Sequence, residues 1–280
     1  MSSRVVAALR RALRARLPGS AVAPVPEPSR GRRSTVVHDD DTFLVSYPRS
    51  GNAWLRRLIA AVQDPTRDID VAHIEQWVPD IYAVGPALEH YPRPRIMKSH
   101  ERFDSAYPRV IYLVRDGRDV AVSYYNLSRT LGGFEGAFSD FLERFLSGAG
   151  LPFGSWASHV ESWLDGLDPK RLLIRYEDLH RDPAVVLGRV TEHLGWRLPH
   201  ERILQAIEVC RFERHHDDLR RIERLTVRGY ERGLRGGPGG WRNAFNPNDL
   251  TTFWARAGST MRKLGYQDDD PRQSGAGAGS

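Results

Sequence analysis

A short polar loop between a predicted strand and a predicted helix carries residue types that bind anions. In VSYPRSGNAW (45–54), an apolar run ends in a Tyr-Pro turn, and an Arg-Ser-Gly tripeptide and a helix-forming segment follow. Pro48 fixes the turn, Gly51 lets the backbone approach a ligand, and the N–H groups of residues 50–53 can form an anion nest at a helix start. Arg49 adds a positive charge. The loop predicts an anion site; the alternative is a strand–helix turn with a solvated arginine.

A second constellation follows a strongly apolar strand pattern. In YPRVIYLVRDGRDVAVSYYN (107–126), Arg115 stands at the end of the predicted strand, and Ser123 lies about two turns along the next helix. Ligands of open α/β sheets bind at strand ends and helix starts. One guanidinium and one hydroxyl in this crevice would suit a second phosphate. If the first loop binds one phosphate of a nucleotide, this segment could bind another phosphate of that nucleotide. No Lys-Ser/Thr pair follows Gly51, so the usual P-loop pattern of nucleoside-triphosphate enzymes is absent.

The elements that must position these residues alternate between strand-like and helical patterns. We predict strands within four apolar segments, at 42–47, 94–100, 109–114 and 171–179. Helical patterns occur at 53–62, from Arg118 onward, and at 138–148, 156–167 and 184–196. This alternation predicts an α/β fold with a central parallel sheet flanked by helices on both faces, in a single domain over 42–266.

Composition narrows the remaining classes of protein. The 280-residue chain has one cysteine, Cys210, which excludes an internal disulfide and favours a reducing, cytoplasmic location. No apolar run approaches the ~20 residues of a transmembrane helix, and arginines interrupt any signal-peptide core near the N-terminus. The net charge of +6 favours anionic ligands, but no nucleic-acid-binding motif accompanies it. We therefore expect no nucleic-acid partner.

Both ends of the chain differ in composition from its middle. Residues 1–41 comprise a basic segment and a linker rich in Pro, Gly and Ser, and residues 267–280 are polar. We expect both ends to be disordered tails. The pattern of residues 1–17 also fits a basic amphipathic helix, so a weak contact with a membrane surface stays open.

Five segments, in the same order, resemble the motifs of the PAPS-dependent, cytosolic-type sulfotransferases, where PAPS is 3′-phosphoadenosine 5′-phosphosulfate. YPRSGNAW (47–54) resembles the family's 5′-phosphosulfate loop, and VIYLVRDGRDVAVSYY (110–125) resembles its 3′-phosphate segment. The other segments are KSH (98–100), GSWASHVESWL (154–164) with RYEDL (175–179), and RGGPGGWRNAF (235–245). The resemblance implies a P-loop-like sulfotransferase fold over most of the chain.

The resemblance also implies the reaction, which is sulfuryl transfer from PAPS to a hydroxyl or amine of an acceptor with release of 3′-phosphoadenosine 5′-phosphate (PAP). His100 matches the family's catalytic histidine, and a neutral imidazole can take the acceptor proton near pH 7. Lys98 and Arg49 match the cations that contact the transferred group, so no metal is needed. The implied donor-binding residues are Arg49, Ser50, Gly51, Asn52, Ala53, Trp54, Arg115, Ser123, Tyr176, Phe212, Arg235, Gly236 and Gly237.

Three departures from the family's pattern concern the donor site. Asn52 and Ala53 replace two threonines, which removes two hydroxyls near the 5′-phosphate. Gly236 replaces a lysine of the terminal motif, so one cationic contact is lost. Arg49 stands where the family usually has lysine. Arginine does not donate a proton at ordinary pH, so its contribution would be electrostatic and hydrogen-bonding.

Two other classes of protein stay open at this point. A P-loop kinase would use Asp116 or Asp119 as a metal-holding acid, although the missing Gly-Lys-Ser/Thr counts against it. A nucleotide-binding module without catalysis would not need both Lys98 and His100. The acceptor could be a small molecule, a glycan or a lipid, and a homodimer stays open. Candidates for the wall of the acceptor pocket are Trp77, Ile81, Tyr82, Phe134, Phe138 and Phe153.

Overall fold

Four parallel strands form the sheet at the centre of the fold. The computed structural model describes residues 36–66, 73–130, 134–165, 170–211 and 237–267. The strands in these ranges are β1 (Thr42–Ser46), β2 (Ile96–Ser99), β3 (Arg109–Val114) and β4 (Arg171–Arg175). Their spatial order is β2-β1-β3-β4, and every neighbouring pair is parallel. The predicted parallel sheet is confirmed.

Helices occur at all five places where the sequence patterns predicted them, and the described ranges contain further helices that were not predicted. The α-helices of the described ranges are α1 (Asn52–Gln63), α2 (Ile81–Val84), α3 (Gly117–Thr130), α4 (Phe138–Ser147), α5 (Trp156–Leu164), α6 (Tyr176–Arg181), α7 (Pro183–His193), α8 (His200–Val209) and α9 (Pro247–Lys263). Short 3₁₀ turns occur at Ile74–Gln76, Gly85–His90 and Gly240–Asn243. Helix α9 begins at strong start signals, because Asn246 caps it and Pro247 takes its first position.

Alternate residues of each strand face two separate hydrophobic cores. Phe43 and Val45 of β1 belong to one core, which α3, α4, α5 and α9 cover. Leu44, between them, belongs to the other core, which α1, α6, α7 and α8 cover. Because both faces of the sheet are buried, the strands consist mainly of apolar residues. The predicted covering of both faces by helices is confirmed.

The carboxyl ends of the four strands lie at the same edge of the sheet, and a residue of the predicted site follows each end. These residues are Arg49 after β1, His100 after β2, Arg115 after β3 and Tyr176 after β4. Neighbouring strands are paired to within one residue of their carboxyl ends, so the four loops start at a similar height. The fold thus places at one edge of the sheet four residues that are far apart in the sequence.

Residues 36–41, which the sequence assigned to the N-terminal tail, contact the domain. Nε of Arg95 donates to the buried carboxylate of Asp41 at 2.8 Å, and Nη2 of Arg95 donates to the carbonyl oxygen of Val36. The rest of the two predicted tails, at 1–35 and 268–280, lies outside the described residues. Among the described helices, none combines the length and the apolar character of a membrane span.

Candidate active site

The loop between β1 and α1 approaches an aromatic ring so closely that only glycine fits at its turn. Gly51 has a φ of 96°, in the left-handed region, and immediately precedes α1. A Cβ atom at Gly51 would lie 2.4 Å from Cδ2 of Tyr176. Arg49 also has a positive φ, of 72°. Two left-handed residues in three give the loop the compact, turned backbone of an anion nest.

The start of α1 offers polar groups that a phosphate would satisfy. The side chain of Ser50 is fully buried, and its Oγ has no hydrogen-bond partner among the described residues. The first N–H groups of a helix also lack acceptors within the helix. Asn52 is buried beside them, and its Nδ2 donates to Oγ of Ser46 at 3.1 Å. A phosphate at this helix end would accept from the Ser50 hydroxyl and the helix N–H groups, so these residues fit the implied donor.

Hydrogen bonds join the loop after β1 to the elements after β3. Nε of Arg49 donates to Oγ of Ser123 at 3.0 Å, and Nη1 of Arg115 donates to the carbonyl oxygen of Arg49 at 3.3 Å. The Arg115 guanidinium lies 4.4 Å from the centroid of the Tyr176 ring, which also contacts Gly51. The two predicted phosphate-binding regions are therefore adjacent and share contacts.

A buried carboxylate holds the segment before α9 against this region. Asp119 accepts hydrogen bonds from the backbone N–H groups of Gly239 and Trp241 at 2.8 and 2.9 Å. Burial raises the pKa of Asp119, and the nearby Arg115 and the two N–H groups oppose that rise. Nη2 of Arg115 donates to the carbonyl oxygen of Gly237 at 3.3 Å. Gly237 therefore lies beside the arginine that was predicted to bind the 3′-phosphate.

The acids that the kinase alternative requires are engaged in contacts within the protein. Asp116 forms an ion pair with Arg118 at 2.8 Å, and the Arg118 guanidinium lies 3.9 Å from the centroid of the Trp241 ring. Asp119 binds the backbone of the same segment. These contacts favour a structural role for both acids.

Of the remaining predicted donor residues, Trp54 is buried within the domain. Its indole N–H donates to the carbonyl oxygen of Cys210 at 2.9 Å, and its ring meets the Tyr176 ring edge-on at 6.2 Å. Ala53 is half-buried on the first turn of α1. The predicted donor residues that lie outside the described residues are Phe212, Arg235 and Gly236.

Hydrogen bonds hold both the ring and the backbone of His100 after β2. Nδ1 of its imidazole lies 2.6 Å from the carbonyl oxygen of Ser46. Because a carbonyl oxygen only accepts, Nδ1 carries a proton in this contact, and in the neutral ring Nε2 is then the unprotonated nitrogen. The backbone N–H of His100 donates to the Tyr82 hydroxyl at 3.0 Å, and that hydroxyl donates to Oε1 of Glu101 at 3.0 Å. The ring can therefore accept a proton at Nε2.

Lys98 forms a buried ion pair that the sequence did not reveal. Its Nζ lies 2.7 Å from Oδ2 of Asp80, and the two side chains are only 10% and 7% exposed. Oδ1 of Asp80 accepts from the backbone N–H of Tyr82 and caps α2. Asp80 thus contacts the Lys98 side chain and the backbone of Tyr82, whose hydroxyl in turn accepts from the backbone N–H of His100. Pro79 and Asp80, before an apolar turn, could have indicated a helix cap in the sequence. No local pattern indicates that Asp80 also pairs with Lys98.

We expect Asp80→Asn to lower the free energy of unfolding by about 3–5 kcal/mol. The asparagine can still cap α2, but the carboxylate that the buried Lys98 ammonium contacts is lost. Chemical denaturation measures the change. The double variant Asp80→Asn with Lys98→Met removes both charges, and we expect it to regain most of the stability. A double variant as unstable as the single one would show that the ion pair does not cause the loss.

Two of the aromatic residues that were predicted to wall the acceptor pocket flank His100. The Tyr82 ring stacks on the imidazole with centroids 6.4 Å apart, and the Phe153 ring lies 5.5 Å away. Phe138 instead packs against Phe245 in the core, with centroids 4.9 Å apart. The other candidates contact the hydrophobic cores; they are Trp77, Ile81 and Phe134.

The parallel sheet and the loop between β1 and α1 (residues 47–51, the anion loop) are typical of the P-loop-like α/β proteins. Comparison with known sequences identifies the family. The profile of the sulfotransferase domain matches residues 39–265. Human sulfotransferase 2B1 is 30% identical over 264 residues, which cover 86% of this chain and 72% of that protein. Mouse sulfotransferase 4A1 is 32% identical over 190 residues, which cover 62% of this chain and 66% of that protein, just under two thirds of its length. The chain belongs to the PAPS-dependent, cytosolic-type sulfotransferase family.

Solved structures share the fold. The crystal structure of mouse sulfotransferase SULT7A1 complexed with PAP superposes with a TM-score of 0.64 at 26% identity and covers 85% of this chain and 90% of that chain. A retinol dehydratase in complex with androsterone and the inactive cofactor PAP gives a TM-score of 0.66 at 22% identity, with 82% of each chain covered. The predicted single-domain sulfotransferase fold is confirmed.

Proposed function

We propose that the protein transfers the sulfuryl group of PAPS to a hydroxyl or amine of a small-molecule acceptor, with His100 as the general base. The observation that carries this proposal is the contact between Nδ1 of His100 and the carbonyl oxygen of Ser46. It joins the end of β2 to the end of β1, where the anion loop begins. It also supports the neutral tautomer in which Nε2 can accept a proton, as a general base must.

The donor site that we propose has two parts, one for each phosphate-bearing end of the nucleotide. When bound, PAPS supplies the sulfuryl group and PAP is the product. Ser50 and the N–H groups at the start of α1 bind the 5′ side, as their buried position and helix geometry support. Arg115, Ser123 and Gly237 bind the 3′-phosphate. The PAP complex of the mouse SULT7A1 protein supports this choice of nucleotide.

Arg49 and Lys98 are the cations that we propose for stabilising negative charge during transfer. Arg49 is held by Ser123 at 3.0 Å and Lys98 by Asp80 at 2.7 Å, so both side chains are oriented in advance. Preoriented charges need no reorganisation at the moment of reaction. Arginine stays protonated, so Arg49 acts through its charge and its hydrogen bonds and not as an acid.

The surroundings of the base suggest the acceptor's character. Tyr82 and Phe153 are only half-buried beside His100. We propose an acceptor that carries an apolar or aromatic group next to its reacting hydroxyl or amine. We also propose a cytoplasmic location, since the single cysteine excludes an internal disulfide and suits a reducing compartment.

Calorimetric titration with PAP in the presence of a chelator tests the donor site. We expect PAP to bind without added metal, because two separate sets of protein cations and N–H groups receive its phosphates. Transfer from labelled PAPS to a panel of phenols, alcohols and amines then tests the reaction. Binding that strictly requires magnesium would support the kinase alternative. PAP binding without transfer to any acceptor class would support a nucleotide-binding module that lacks catalysis.

A further inference from the structure

A fully buried histidine of α5 contacts the backbone of the proposed base. Nε2 of His159 lies 3.0 Å from the carbonyl oxygen of His100, and Nδ1 of His159 lies 3.1 Å from the Tyr112 hydroxyl. The side chain of His159 is 0% exposed, so it does not contact solvent. Its two ring nitrogens are used entirely within the protein.

The two partners of His159 leave it a single tautomer. The carbonyl oxygen of His100 only accepts, so Nε2 of His159 carries the proton and donates. Nδ1 must then accept from the Tyr112 hydroxyl. Burial lowers the pKa of His159 to about 4, so the ring is neutral at pH 7. The ring is therefore a fixed donor, which an apolar side chain of the same size could not replace.

One face of α5 holds the chain on the C-terminal side of the proposed base. His159 binds the carbonyl oxygen of His100, and Trp163, four residues later, donates from its indole to the carbonyl oxygen of Glu101 at 3.0 Å. On the N-terminal side, the Tyr82 hydroxyl binds the N–H of His100. The backbone on both sides of the imidazole is therefore fixed.

We propose that His159, oriented by Tyr112, is a positioning residue that keeps His100 in the tautomer and orientation in which Nε2 accepts a proton. This inference rests on the function proposed above. If the carbonyl of His100 were released, its peptide group could rotate and lengthen the 2.6 Å contact from Nδ1 to Ser46. The proton could then move to Nε2, and the ring would be unable to act as a base at that nitrogen.

The first test compares two variants at the same position. His159→Gln keeps an amide donor for the carbonyl of His100, and His159→Leu keeps only apolar volume. We expect His159→Leu to lower kcat by about tenfold with the Kd for PAP changed less than about twofold, and His159→Gln to retain most of kcat. His193→Leu is the matched control, because this half-buried histidine of α7 faces Arg109 and Val110 at the opposite end of β3. We expect it to leave kcat unchanged.

The second test reads the tautomer without turnover. Long-range proton–nitrogen NMR correlations report which ring nitrogen carries the proton, and the His100→Ala variant assigns the His100 signals. We expect the Nδ1–H form of His100 in the wild type and in His159→Gln, and a mixture of both forms in His159→Leu. An unchanged His100 tautomer in His159→Leu would overturn the proposal. Parallel losses of Tm, PAP affinity and kcat would also overturn it, because they would assign His159 to the fold alone. A tautomer change in a protein that transfers no sulfuryl group would support the positioning role and contradict the proposed function.

Discussion

Replacement of His100 with alanine is expected to lower kcat by about 10²–10⁴-fold, while the Kd for PAP stays close to the wild-type value. In the proposed mechanism the imidazole takes the acceptor's proton, so its loss should affect the chemical step. The groups proposed to bind the nucleotide belong to other elements, namely the loops after β1 and β3, helices α1 and α3, and the segment before α9. Steady-state kinetics with a reactive acceptor measures the first quantity, and calorimetry with PAP measures the second.

His90→Ala is a suitable control for this variant. His90 is an exposed histidine in the 3₁₀ turn Gly85–His90, and its replacement should change neither quantity. An unchanged kcat in His100→Ala would remove the imidazole from the mechanism. A large loss of PAP affinity would show that the contact between His100 and Ser46 mainly supports the anion loop.

Replacement of Arg115 with alanine is expected to weaken PAP binding by about ten- to a hundredfold. A charge-assisted hydrogen bond to a phosphate contributes roughly 1.5–3 kcal/mol, and Arg115 is the buried cation between Tyr176 and Gly237. AMP has no 3′-phosphate, so its affinity should change little. Parallel titrations of the wild type and Arg115→Ala with PAP and AMP measure the difference.

The comparison of the two nucleotides matters because Arg115 also donates to the carbonyl oxygen of Arg49 in the anion loop. An equal loss for PAP and AMP would mean that Arg115 supports the loop and does not bind the 3′-phosphate specifically. Arg181→Ala is the control, since this arginine of α6 is 76% exposed and pairs with Asp178. It should leave both affinities unchanged.

The anion loop could be predicted from sequence because its signals are local. A strand pattern, a turn residue, a glycine and a helix start follow one another within ten residues, and each has a known backbone preference. The order of apolar and amphipathic segments predicted a parallel sheet covered on both faces for a similar reason. Parallel strands that are buried on both faces need continuous apolar runs, and such runs can be recognised directly in the sequence.

The contacts that orient the side chains proposed to be catalytic could not be predicted in this way. Asp80 and Lys98 are 18 positions apart, and His159 lies 59 positions from His100. No local sequence pattern indicates which group a given buried acid or histidine will contact, because that contact depends on how the helices pack on the sheet. His159 was visible within a family-like helix motif, but its bond to a carbonyl oxygen after β2 required the fold.

The strand order places different constraints on the residues of the proposed acceptor site and on those of the proposed nucleotide site. β2, which leads to His100, is an edge strand of the described sheet, whereas β1 and β3, which lead to the two proposed phosphate-binding regions, are interior. A loop after an interior strand has neighbours on both sides, so a substitution there must suit two sets of contacts. Tyr82, next to the base, stands on the short helix α2, which packs on the edge strand. We therefore expect substitutions to be tolerated more readily around the proposed acceptor site than around the proposed nucleotide site.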